Sequence, residues 1–512
     1  MRGCCCCCSA ALQGTASSSP RRLAPFRHMS SRSRLQVQGV SSSRGSASSS
    51  DGVEWAGPPA WFDRSASLQT CYVPGLGPDQ CVVRPSAVAN TAEQVLAGLS
   101  FACKDLFDVA GTVTGFGSPA WATTHPAPAS THAEAVKKLL DAGATLRGKT
   151  VMDELAFSLT GANPHFGTPC NPWANSPSIR RLPGGSSAGS ASAVALGGCD
   201  FALGSDTAGS VRLPASWCGV YGFRPTHGAV SLAGARPLAP SLDAAGWFSA
   251  SADVLQRVGD ILLPKDAEGE EVARSSFAQL VVAADALSLC DDAHALGRAL
   301  EETKLPLFGM STLAADVGAV PSVAEGLADW VPVFVGVQLA DVWATHGAWV
   351  EDVSARFEGQ VDPSTGVPLL FGDPGVRDRM RMAQDAAANR TEAEEQELRG
   401  KRKALTAHLD NMLGQDSVLL LPTTPCRAPE ADGDAGFVQD LRMRSLQCLA
   451  PASLAGLPQV SIPLLPPREE LDADPMARPL GLSLVGPRHS DRRLLRLAAD
   501  VAKALPVDSR RL

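Results

Sequence analysis

Two glycine- and serine-rich turns hold the residues whose types and spacing can do chemistry. The first reads Pro183-Gly184-Gly185-Ser186-Ser187-Ala188-Gly189-Ser190 and the second Gly204-Ser205-Asp206-Thr207-Ala208-Gly209-Ser210-Val211-Arg212. Each brings a serine, Ser186 or Ser210, to a place where the backbone must bend sharply. A serine hydroxyl becomes a useful nucleophile only beside a base. A histidine base is not marked out: none of the nine histidines has a distinctive context, and no G-x-S-x-G elbow surrounds Ser210. The turns lack the Gly-Lys-Ser/Thr ending of a phosphate loop and the dinucleotide fingerprint. No histidine and carboxylate cluster has metal-ligand spacing. Serine chemistry with a lysine base remains. Such a lysine must be neutral, and lowering its pKa from about 10.4 to about 7–8 requires about 3.5–4.5 kcal/mol of differential solvation and charge interaction. Lys104 ends the apolar run Leu96-Ala97-Gly98-Leu99-Ser100-Phe101-Ala102-Cys103. Read alone, it is a strand-end lysine snorkelling to solvent. The amides from Asp206 to Ser210 are placed to face a developing oxyanion, an effect worth about 3–4 kcal/mol per donor.

The elements that must position these residues alternate between strand and helix. Strands are expected over Leu96–Asp105, Ala144–Thr150 and Cys199–Gly204, with helices over Thr131–Ala142, capped by Thr131, and Ser187–Leu196. The second helix is nearly all Ala, Ser and Val, so it can lie very close to a sheet. Further along, Ala250–Leu262 and Asp491–Leu505 read as helices. Leu280–Ala284, Leu305–Phe308, Ser417–Pro422, Pro458–Pro463 and Leu480–Gly486 read as strands. Met152–Leu159 suggests a short helix, and Val376–Leu413 one long helix whose charges, Arg379 among them, form a solvated face. Trp330, Trp343 and Trp349 are expected in the core, in a stretch without clear periodicity. The alternation indicates an α/β sheet.

The chain has 512 residues, 45% of them hydrophobic, enough for a large core. Residues 1–50 contain seven arginines, many serines, five consecutive cysteines (Cys4–Cys8) and no acid, which reads as a disordered organellar transit peptide. Residues 51–90 read as an irregular lead-in. Without the first segment the net charge of −8 becomes about −15 (−8 − 7), which argues against a nucleic-acid surface. The other nine cysteines are scattered without a C-x-x-C pair, as expected of a reduced compartment. No run of about 20 uninterrupted apolar residues suggests a membrane span.

The stretch from Gly184 to Ala215, continued by Cys218-Gly219-Val220-Tyr221-Gly222-Phe223-Arg224-Pro225-Thr226, resembles the signature of the amidase signature family. The resemblance extends to Phe101-Ala102-Cys103-Lys104-Asp105 upstream, and to Leu420-Leu421-Pro422-Thr423-Thr424-Pro425 and Leu454-Ala455-Gly456-Leu457-Pro458 downstream. It implies one large mixed twisted β-sheet flanked by helices on both faces, over residues 91–512. It also implies a Ser-cisSer-Lys set: Ser210 as nucleophile, Ser186 as bridging serine after a cis peptide, and Lys104 as base. The amides of Thr207, Ala208 and Gly209 would form the oxyanion hole together with that of Ser210. Ala208 stands where family members usually have Gly. Metal and organic cofactors are not implied; the implied partner is a small-molecule amide. Val113-Thr114-Gly115-Phe116-Gly117 and His165-Phe166-Gly167-Thr168-Pro169 resemble the plant members that hydrolyse indole-3-acetamide, and the amidase-like domain of a chloroplast import receptor. Acid and ammonia from a small aromatic or apolar primary amide, in the chloroplast or alternatively in the mitochondrion or cytoplasm, is therefore the expectation. The alternatives are the amidase subunit of an organellar glutamyl-tRNA(Gln) amidotransferase and a non-catalytic docking module.

Overall fold

Short apolar runs build ten strands among the described residues: β1 Ser100–Lys104, β2 Thr145–Thr150, β3 Phe201–Asp206, β4 Tyr221–Arg224, β5 Ala244–Ser249, β6 Gln279–Ala283, β7 Ser311–Ala315, β8 Ser417–Pro422, β9 Gln459–Leu464 and β10 Leu480–Val485. The structure, a computed structural model, describes residues 63–85, 94–173, 179–264, 276–302, 309–433, 435–466 and 477–505. The expected transit segment lies outside these residues. All ten strands join one sheet in the order β2-β1-β3-β5-β4-β9-β10-β8-β6-β7. Its two ends are parallel (β2-β1-β3 and β8-β6-β7) and its middle is antiparallel. Every residue of β3, β5, β9 and β10 is buried, so the centre of the sheet is covered on both faces.

Two helices matter most for the site. Ala188–Ala195 is buried at every residue and packs on β3, as its small side chains allow. Arg212–Cys218 follows the second Gly/Ser turn and is also buried throughout. From the lead-in, Tyr72 and Val83 bridge to Thr150 and Leu146 of β2.

Several elements differ from the sequence reading. The helix expected from Thr131 starts at Glu134 with Ala133 as its uncapped N-terminus. Met152–Leu159 forms only a 3-10 turn, Glu154–Ala156, because Leu155 and Ala156 take positive φ. The long charged helix is two helices, Pro374–Asn389 and Glu392–Leu413. Thr391 breaks it by forming a capping box with Glu394, and Gly400 lies inside the second helix. Arg379 is not on a solvated face: its Nε donates to Phe157 O at 2.7 Å and its guanidinium lies over the Phe157 ring. Trp330 begins a 28-residue helix, Trp330–Phe357, and is fully buried, whereas Trp343 and Trp349 are part-buried against the core. By length and composition the stretch Leu327–Phe357 could cross a membrane, but half of it is buried within the protein. The strand expected at Leu305–Phe308 lies outside the described residues; β7 is at Ser311–Ala315.

Candidate active site

Parallel pairing of β1 with β3 sets Cys103 opposite Leu203, so the strand ends carrying Lys104 and Ser205 emerge side by side. Lys104 is completely buried. Its Nζ donates to Ser186 Oγ at 2.7 Å and to Ser205 Oγ at 2.8 Å. Burial pushes the Lys104 ammonium down from the ordinary lysine range, against the opposing pull of Asp153, Asp206 and Asp243.

Ser186 follows a cis Gly185–Ser186 peptide, and its carbonyl accepts from the Asp153 amide at 3.1 Å. A Cβ on Gly185 would collide with the Asp153 carboxylate, so only glycine fits there. Ser187 Oγ donates to Ser205 O at 3.2 Å, tying the first turn to β3. The same turn rests on the helix after Ser210: a Cβ on Gly184 would meet Leu213 and Pro214.

The second turn is held by Asp206. Its Oδ1 accepts from the Gly209 amide (3.0 Å), Arg212 Nη2 (2.7 Å) and Arg224 Nη1 (3.1 Å). Its Oδ2 accepts from the amides of Val211 (3.0 Å) and Arg212 (3.3 Å) and from Arg212 Nε (3.0 Å). Burial alone would raise the Asp206 pKa, but the Arg212 and Arg224 guanidinium groups hold it well below the carboxylate range. Thr207 Oγ1 donates to Asp243 Oδ1 at 2.6 Å. Ser210 is 2% exposed, and its hydroxyl makes no hydrogen bond among the described residues. Thus the structure joins Lys104 to Ser186 directly and sets Ser210 on the adjoining turn without a hydrogen bond to either.

Of the expected oxyanion-hole amides, that of Gly209 already donates to Asp206. The amides of Ala208 and Ser210 have no acceptor among the described residues. Gly209 sits at φ +109°, and a Cβ there would lie 2.5 Å from Leu449 Cδ1, so the turn depends on this glycine. Sequence reasoning missed Ser205, Asp153, Asp243 and the carboxylate role of Asp206. Asp206 carried a signal, an acid six residues before an arginine across a Gly/Ser turn. Asp153 and Asp243 carried none, because only the fold brings them here. Among the described residues no group of three or more metal-ligating side chains occurs.

The family Amidase matches residues 84–313. Amidase 1 of Arabidopsis thaliana is 36% identical over 448 residues, covering 83% of this chain and 97% of that protein. The Translocon at the outer membrane of chloroplasts 64 of Pisum sativum is 34% identical, over 80% of this chain and 67% of that one. A solved amidase crystal structure superposes with a TM-score of 0.64 at 27% identity, over 86% of this chain and 94% of the other. Together with the mixed sheet and the two Gly/Ser turns, these matches place the chain in the amidase family.

Proposed function

We propose that this amide hydrolase cleaves the C–N bond of a small primary amide through Ser210, Ser186 and Lys104. The Lys104 Nζ to Ser186 Oγ hydrogen bond of 2.7 Å, between two completely buried side chains, carries the reading. When Lys104 is neutral the contact with Ser186 reverses: the Ser186 O–H donates to the Nζ lone pair, while a Lys104 N–H still donates to Ser205. Ser210 Oγ attacks the amide carbonyl carbon; its proton moves to Ser186, and the Ser186 proton moves to Lys104. The oxyanion is met by the amides of Thr207, Ala208 and Ser210, the Gly209 amide being engaged by Asp206. As the C–N bond breaks, the relay returns a proton to nitrogen and ammonia leaves. Water then attacks the Ser210 ester and gives its proton to the relay, releasing the acid and free Ser210.

The likeness to Amidase 1, and Leu449 packed against Gly209 of the nucleophile turn, support an aromatic or apolar acyl group, with indole-3-acetamide as the first compound to test. The arginine-bearing, acid-free residues 1–50 and the chloroplast name of the Pisum sativum relative support an organellar location. Ammonia release from a panel of amides, comparing wild type with Ser210→Ala, tests the reading. Release by wild type that Ser210→Ala abolishes is expected; release that survives the substitution overturns it.

A further inference from the structure

Asp153 is completely buried beside Ser186, and no step of the relay uses it. Three contacts fix its place. Its amide donates to Ser186 O at 3.1 Å. A Cβ on Gly185, the residue before Ser186, would lie within 2.7 Å of both carboxylate oxygens. Oδ2 accepts from the Gly161 amide at 3.1 Å. Oδ1 has no hydrogen-bond partner among the described residues.

The donors around it are engaged elsewhere. Lys104 acts on Asp153 through its charge, but its Nζ donates to Ser186 and Ser205. Arg379 also feels Asp153, but its Nε donates to Phe157 O. The Ser158 hydroxyl pairs with Thr160 Oγ1 at 3.3 Å. A buried carboxylate oxygen without a donor is costly. A donor brought by the substrate removes that cost. The leaving nitrogen is such a donor, and it must come to Ser186 to be protonated. In a primary amide it carries two N–H bonds, and protonation adds a third and a positive charge.

We propose that Asp153 Oδ1 accepts an N–H of the leaving nitrogen and so helps ammonia depart. Ser186 Oγ passes its proton to that nitrogen, and the C–N bonding pair moves to nitrogen as the carbonyl of the Ser210 ester re-forms. The N–H to Oδ1 bond strengthens as nitrogen becomes cationic. Asp153 neither gains nor loses a proton. The role rests on Ser210 as the nucleophile and deepens that reading: it favours amides over esters, because an ester's leaving oxygen brings no N–H.

Indole-3-acetamide and methyl indole-3-acetate share one acyl group. Their kcat/KM values are measured in wild type, Asp153→Asn and Asp153→Ser. In Asp153→Asn the Gly161 amide keeps the side-chain oxygen, so an NH2 group replaces Oδ1. Asp153→Ser keeps a hydroxyl for Gly161 and lacks the second oxygen; it continues the test should Asp153→Asn fail to fold. The amide-to-ester ratio falls about tenfold or more. A second readout starts from the acyl-enzyme formed by the ester, for which hydroxylamine competes with water. Attack by an amine retraces the departure of ammonia, so the ratio of hydroxamate to acid also falls in the variants. A displaced Ser186 or a changed Lys104 slows both nucleophiles and leaves this partition in place. An unchanged partition in both variants overturns the role, even where the amide-to-ester ratio falls. If Ser210→Ala still abolishes ammonia release, that outcome leaves the amidase reading intact. Ammonia release that survives Ser210→Ala overturns both.

Discussion

Asp206→Asn removes the charge on which the nucleophile turn is built. Six N–H groups converge on this one carboxylate, from the amides of Gly209, Val211 and Arg212 and from the guanidinium groups of Arg212 and Arg224. Asp206, Arg212 and Arg224 are all completely buried. Asparagine keeps one acceptor oxygen but turns an NH2 group toward donors and leaves two buried cations without their anion. Breaking a buried pair in this way costs about 3–5 kcal/mol. At an m-value of about 3 kcal/mol/M, the urea midpoint falls by about 1–1.7 M. Because the folded-state pKa of Asp206 is depressed, its contribution is fully present above the unfolded value of about 3.9 and is lost as pH falls through the folded value. The deficit of the variant is therefore complete at neutral pH and shrinks only in strong acid. Loss of the turn also displaces the amides beside Ser210, so kcat/KM falls by about 100-fold or more. A variant with an unchanged urea midpoint and wild-type turnover would refute the claim that this carboxylate holds the turn.

Three further outcomes follow from the same geometry. The rate rises with pH as Lys104 loses its proton, with a midpoint well below the free-lysine value of about 10.4; Asp153→Asn removes an anion that favours the ammonium, so a pH-rate profile should show that limb at lower pH, and a limb at higher pH contradicts the assignment. Ser205→Ala deletes the second acceptor of Lys104 and frees its amine to turn from Ser186; steady-state kinetics should show kcat reduced by up to about tenfold with KM little changed. Gly185→Ala forces a methyl group into the Asp153 carboxylate and lowers stability by about 1–3 kcal/mol in urea unfolding, whereas an unaltered midpoint would mean that the two groups are not in contact.

What the sequence disclosed about the site was local. Ser186 and Ser210 stand in turns dense with glycine, and Lys104 ends an apolar strand, so residue type and near neighbours marked all three. The groups that support them come from β3 (Ser205), from the segment after β2 (Asp153) and from just before β5 (Asp243), a convergence set by strand order rather than by spacing. Most strands were legible because they are short, apolar and bounded by turns. β4 and β5 were not read as strands, lying as they do within Gly-, Ala- and Pro-rich sequence. Trp330–Phe357 escaped because it is apolar on most of its faces and lacks an amphipathic stripe. Ala435–Ala455 escaped because Pro451, normally a stop, lies inside it. Arg379 looked like one charge among many on a solvated helix, and only tertiary packing turns it toward Phe157.

The most direct test of the account is the intact mass of the protein during turnover of an amide, quenched in acid within the first seconds. The account predicts a transient species heavier by the acyl group less one hydrogen, mapped to the peptide containing Ser210 and absent from Ser210→Ala. In Lys104→Ala its formation slows by orders of magnitude. Ammonia release with no adduct at Ser210, or an adduct that forms as fast without Lys104, would contradict the relay from Ser210 through Ser186 to Lys104.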